Sequence, residues 1–155
     1  MNTHIKAILA ATLIVGAPSL AAAQDCPSYA ESGAALSYSS EDLWVEKTQS
    51  VTAGGNLDLA LCATLPGVGH VIESPDFTLQ YNAMDLGRGL LISVDGQCDT
   101  VLLVNTATAQ WLFDDDSNAS NPALLIEDAP SGQYDIWVGT YGTDTCSATL
   151  NLETF

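Results

Sequence analysis

Short apolar runs that return at close intervals constrain this chain more than any other feature. Between residues 43 and 152 no stretch keeps a helical period beyond two turns. Apolar segments instead recur roughly every 8–12 residues, divided by Gly, Pro, Asn and Asp. Segments 43–48, 57–61, 77–81, 90–94, 100–104, 110–113, 123–126, 133–138 and 148–152 read as strands, with turns at Ala53-Gly54-Gly55-Asn56 and Asp95-Gly96. Phe77-Thr-Leu-Gln-Tyr81 and Tyr134-Asp-Ile-Trp-Val138 have a period of two, so each is expected to bury one face. This is the pattern of an all-β antiparallel sandwich. Residues 27–40 are the least patterned, and read either as an irregular arm tied down by Cys26 or as a short edge strand near 35–38.

The first 23 residues are expected to be an export signal. Lys6 charges a short n-region, residues 7–15 (AILAATLIV) are unbroken apolar, and Ala21-Ala22-Ala23 offers a small-residue cleavage site before Gln24. The run is half the roughly 20 residues that a membrane-spanning helix needs. Removing it leaves 24–155, the length of a single β-sandwich domain, in a periplasmic or secreted compartment with no membrane insertion expected. Cys26, Cys62, Cys98 and Cys146 form an even set without a CxxC pair, which in an oxidising compartment reads as two disulfides. Of the three pairings, Cys26–Cys62 and Cys98–Cys146 are favoured because short closures form most readily.

Charge narrows the partners. Beyond the signal only Lys47 and Arg88 remain as fixed cations, against 19 carboxylates. Such a surface repels phosphate backbones and anionic lipid, which excludes nucleic-acid binding and peripheral membrane association. Catalytic machinery is equally sparse. His70 is the one histidine after the signal, in a Gly-rich stretch, and no GxSxG elbow accompanies it. No catalytic residue is assigned.

The strongest chemical signal is Asp114-Asp-Asp-Ser-Asn118. Adjacent carboxylates repel one another unless solvated or bridged, and calcium takes six to eight oxygen ligands. Asp114, Asp116 and Asn118 at i, i+2, i+4 share a face where the chain is extended, with Asp99 and Asn121 as further donors. The loop is not an EF-hand, having neither its glycine nor its closing glutamate. The alternative is an Asx-type turn in which Asp114 and Asp116 accept backbone N–H groups. Among the aromatics, Trp44, Trp111, Trp137, Tyr134 and Tyr141 suit a stacking platform for a sugar or peptide. Trp111 and Trp137 fit a core as well as a binding role, while Tyr141, in the Gly139–Gly142 turn, is the better binding candidate.

The C-terminal half has a recognisable order: Cys98-Asp-Thr-Val-Leu-Leu-Val-Asn105, Trp111-Leu-Phe-Asp-Asp-Asp-Ser117, Pro130-Ser-Gly-Gln-Tyr-Asp-Ile-Trp-Val-Gly-Thr-Tyr-Gly142, then Ser147-Ala-Thr-Leu-Asn-Leu152. It resembles the bacterial pre-peptidase C-terminal domain, whose pattern runs through a DTVL strand, an NDDS turn, a YxxVGxY strand and a closing TLxV strand. The resemblance implies a jelly-roll-like sandwich, an accessory rather than catalytic role, and calcium binding in some members. No peptidase precedes the domain in this sequence. The expectation is therefore a non-catalytic extracytoplasmic module that contacts protein or polysaccharide through its loops, calcium-assisted if the acidic turn is a site. The alternative is a structural envelope protein or ion buffer without a discrete ligand.

Overall fold

The computed structural model describes residues 25–155; the expected signal and its cleavage point lie outside the described residues. Two β-sheets pack face to face. The larger is built from β1 (Ala34–Ser39), β3 (Leu57–Asp58), β4 (His70–Val71), β5 (Phe77–Asn82), β7 (Thr100–Asn105), β8 (Trp111–Asp114) and β10 (Gly132–Thr140). The smaller holds β2 (Lys47–Ala53), β6 (Leu90–Gly96), β9 (Ala123–Ile126) and β11 (Cys146–Thr154), in the order β2-β11-β6-β9. The chain changes sheet at most of its connections, which is the wrapping of a jelly roll. Among the described residues no helix is long and apolar enough to cross a membrane.

Strand β10 organises the larger sheet. One edge pairs with β7 from Asp135 to Thr140. The other pairs with β5 from Gly132 to Ile136, and then with β4 at Thr140. All pairs are antiparallel except β1 with β5, which run parallel from Ala34↔Phe77 to Ser39↔Asn82. That exception to the antiparallel expectation is possible because a long crossover through β2, β3 and β4 separates the two strands. The N-terminal arm thus supplies an edge strand.

The main core lies between the sheets, where Leu79, Tyr134, Ile136, Val138, Ile92, Leu150 and Leu152 are wholly buried. A second cluster covers the outer face of the larger sheet: Leu59, Val71, Val101, Leu103 and Trp137, with Leu65, Trp111 and Phe113 against it. As a result β7 and β10 are buried on both faces, where the period-two pattern of 134–138 had implied one. The cover is the chain between β3 and β4, fixed by the Cys26–Cys62 disulfide across 36 residues. Gly67, in this cover, lies at φ +90° with the Phe113 ring where a Cβ would stand, so only glycine lets the cover close. Cys98–Cys146 joins β11 to the turn after β6 across 48 residues. Both pairings match the expected ones. In the chain-entropy model each closure contributes roughly 4 kcal/mol.

Two expected strands begin differently. Residues 42–44 form a 3-10 turn because the Asp42 carboxylate accepts from the Ser39 N–H (2.8 Å) and hydroxyl (2.6 Å), and β2 starts only at Lys47. The Ser39 bonds hold the Asp42 carboxyl below its usual range. Leu57–Leu61 likewise becomes two strand residues and a 3-10 turn, with Asp58 Oδ1 accepting from Ala60 N at 2.9 Å. In both places a short acidic side chain competes for backbone donors that a strand would use.

Asp76, just before β5, accepts from Val138 N at 2.7 Å. Burial pushes its carboxyl up to about 6. The folded protein therefore keeps a proton between pH 4 and 6 that the unfolded chain releases, and stability falls as pH rises through that window. Asp76→Asn should remove this slope. Melting temperatures of the two proteins should converge near pH 4 and separate towards pH 7, the variant being the more stable by on the order of 3 kcal/mol.

Candidate functional site

The strands expose two ends of the sandwich, and the residues singled out in the sequence fall unequally on them. At one end lie the acidic turn after β8, Asp99 before β7, and Tyr141 after β10. Asp114 Oδ2 accepts from Ala123 N (2.8 Å) and Ser117 N (3.2 Å), clamping the loop that passes from one sheet to the other. Asn118 and Asn121 pair through their backbones at 2.9 and 3.1 Å. Asn121 Oδ1 accepts from Gly96 N (2.9 Å) and the Thr100 hydroxyl (3.2 Å). Asp99 and Asp116 are exposed, and the Asp99 carbonyl accepts from Tyr141 N at 3.0 Å. Burial, then the charges of Asp116 and Asp114 with Asp99 behind them, pushes the Asp115 carboxyl above its usual range.

The five residues expected to ligate calcium are thus brought to one end, but with two oxygens already engaged. Asp114 Oδ2 and Asn121 Oδ1 would ligate a cation only by sharing or surrendering bonds that hold the loop. Among the described residues no group of three or more His, Cys, Asp or Glu side chains is arranged to hold a metal ion. Asp114 accepts backbone N–H groups three and nine residues on, whereas among the described residues no backbone donor reaches the Asp116 carboxylate.

The aromatic candidates separate by burial. Trp137 is wholly buried, its indole N–H donating to the Glu73 carbonyl at 3.2 Å, which places it in the packing and off any binding surface. Trp111 is half-buried between Trp137 and Tyr29, with ring centroids 5.3 and 6.0 Å away. Tyr134 is core, its hydroxyl bonded to the Pro130 carbonyl. Tyr141 and Trp44 are the exposed ones, at 55% and 59%. His70 in β4 is half-buried, and its Nδ1 is enclosed without a hydrogen-bond partner.

The opposite end is richer, and its contents were largely missed in the sequence. Three loops meet there, before β2 (40–46), before β6 (83–89) and before β10 (127–131). They are bonded together: Ser40 N to the Asn82 carbonyl at the end of β5 (2.8 Å), Ala83 N to the Ser131 hydroxyl (2.8 Å) and Ala129 N to the Arg88 carbonyl (3.2 Å). Arg88 lays its guanidinium over the Trp44 ring, 4.1 Å from the centroid, and donates to the Ser40 carbonyl at 3.4 Å. Trp44, Val45, Met84 and Leu86 are all exposed. Between the second and third loops opens a cleft of about 420 Å³ with Asp85 on one wall and Asp128 on the other. Met84, Asp85, Gly87 and Asp128 all have positive φ, at 56°, 54°, 63° and 48°. Such conformations persist in non-glycine residues only where surrounding bonds over-determine them, and they concentrate at binding sites. Nothing in the sequence marks this end: Met84-Asp-Leu-Gly-Arg-Gly89 sets two apolar residues among turn residues.

No protein-family model matches the chain, and no curated protein matches it significantly. Solved structures similar in backbone course include these two. One is the periplasmic inhibitor of g-type lysozyme, PliG, from Aeromonas hydrophila: 11% identity, TM-score 0.46, 81% of this chain and 99% of that one. The other is the pre-peptidase C-terminal domain of collagenase from Bacillus anthracis: 11% identity, TM-score 0.45, 79% of this chain and 96% of that one. The second is of the family that the C-terminal motifs resemble. At this identity neither likeness assigns a family or a function.

The acidic turn yields a direct test. Asp114→Ala with Asp116→Ala leaves the Ser117 and Ala123 amides without their acceptor, and should destabilise the fold by about 1–3 kcal/mol in denaturant melts. If the turn is held by its own bonds, calcium and chelator will shift neither wild type nor variant beyond the effect of ionic strength. A saturable rise in wild-type melting temperature at one equivalent of calcium, absent in the variant, would instead assign these residues to a cation.

Proposed function

We propose that the protein is a non-catalytic extracytoplasmic accessory module that acts by contact, binding a protein or polysaccharide partner through loops at one end of the sandwich. One observation carries this reading: Trp44, stacked under the single arginine, and Met84 and Leu86 are all exposed on loops that are hydrogen-bonded together at one end of the sandwich. Exposed apolar side chains grouped together mark interaction surfaces, and Trp and Arg dominate the energetics of such surfaces. Loops fixed before binding lose little entropy on binding. Two disulfides support a compartment outside the reducing cytoplasm. The non-catalytic part rests on His70, whose Nδ1 meets no carboxylate or hydroxyl to steer it as a base. Calcium is not needed for this surface, since the acidic turn lies at the other end.

Envelope polysaccharide and extracytoplasmic protein fractions passed over the immobilised protein should show saturable binding from one of the two. Trp44→Ala with Leu86→Ala should weaken it roughly tenfold or more. Turnover of a peptide or glycan substrate by the purified protein would overturn the reading, whether it is lost with His70→Ala or chelation or survives both.

A further inference from the structure

The cleft between Asp85 and Asp128 gives the same surface a chemical preference. Its walls are Ala83, Asp85 and Gly87 on one side and Asp128 to Ser131 on the other. A Cβ built on Gly87 would lie 3.4 Å from Asp128 Oδ1, so the carboxylate faces the loop opposite. Glu127, beside Asp128, and Glu41, beside Trp44 and Arg88, are also exposed. Both fixed cations of the described residues stand at this end and both are engaged: Arg88 with the Trp44 ring and the Ser40 carbonyl, and Lys47, at the start of β2, with the charge of Asp42. What remains is an acidic notch next to an apolar shelf.

We infer that this end docks a protein segment presenting a lysine or arginine beside an apolar side chain, the cationic head entering between Asp85 and Asp128 and the apolar group covering Met84 and Leu86. The inference rests on the contact reading above and names its partner. Charge complementarity selects the occupant. Two carboxylates across a cleft favour a cation, and a surface with two fixed cations against 19 carboxylates draws basic partners from a distance. A single exposed ion pair is weak, so the apolar shelf must supply the remainder of the affinity. A neutral polysaccharide would leave both carboxylates without counter-charge.

The test uses three capped peptides of equal length, alternating Lys-Leu, Lys-Ser and Glu-Leu, titrated into the isotopically labelled protein. The Lys-Leu peptide should shift amides of residues 83–88 and 127–131 and bind more tightly than the Lys-Ser peptide, with affinity falling as salt rises. The Glu-Leu peptide should not bind. Asp85→Asn with Asp128→Asn should weaken Lys-Leu binding by roughly tenfold or more. Asn tolerates the left-handed backbone at both positions, so folding is kept. Equal binding of both lysine peptides, or an Asn variant within about twofold of wild type, would overturn the inference. Shifts centred on 114–121 and Tyr141 would overturn it too, while leaving the contact reading intact. Absence of peptide binding, with polysaccharide bound at the 83–88 loop, would give the surface to a sugar. No binding of any probe or fraction would sink both readings.

Discussion

Strands β7 and β10 bury side chains on both faces, and the other elements answer the demands that this makes. A strand with no wet face needs a layer on each side. The smaller sheet supplies one, and the chain around Leu59, Leu65 and Val71 supplies the other. That second layer is thin and built from irregular backbone, so it is fastened covalently through Cys26–Cys62 and closed by a glycine where Phe113 leaves no room for a side chain. Trp137 fills the space between the strand and its cover. It is the residue whose truncation would open the largest void there.

The surplus of acid looks at first like a burden on stability, yet many of the aspartates are structural acceptors. Asp42, Asp58, Asp76 and Asp114 each take backbone N–H groups at a turn or strand end. Asp135, buried in β10, accepts from the Thr78 hydroxyl at 2.8 Å and from the Gln133 amide at 2.9 Å. A carboxylate that accepts donors satisfies backbone groups that a loop would otherwise leave bare. The chain therefore manages with almost no cations. Of the remaining carboxylates, Asp99, Asp115 and Asp116 lie at one end and Asp85, Glu127 and Asp128 at the other, and there they set the sign of what can approach.

Much of the fold could be read from the sequence. The strands at 77–81, 90–94, 100–104, 110–113, 123–126, 133–138 and 148–152 were visible because their apolar content and turn residues are local signals, and they match β5 to β11 closely. The shifted starts at 42–47 and 57–61 were not, because two aspartates divert the backbone through bonds that periodicity does not register. Strand β4 is only two residues long, and it exists because Leu57 and Asp58 of β3 lie on one side of it and Thr140 on the other. Burial of Trp137 on its far face depends on residues some 70 positions away along the chain, as does its indole bond to Glu73. The acidic turn announced itself in the sequence, whereas the apolar end did not: Met84 and Leu86 look like ordinary core residues until the fold leaves them outside.

Whether the protein acts by contact depends on whether those loops form a fixed surface. Their cross-bonds, from Ser40 to Asn82, Ala83 to Ser131 and Ala129 to Arg88, tie three separate segments to the ends of strands that are themselves fully packed. Backbone relaxation of the free protein examines this most directly. The account predicts order parameters for residues 83–88 and 127–131 close to those of the strands, about 0.85. Values below about 0.6 across either loop would mean that the shelf and notch do not exist before a partner arrives, and would contradict it.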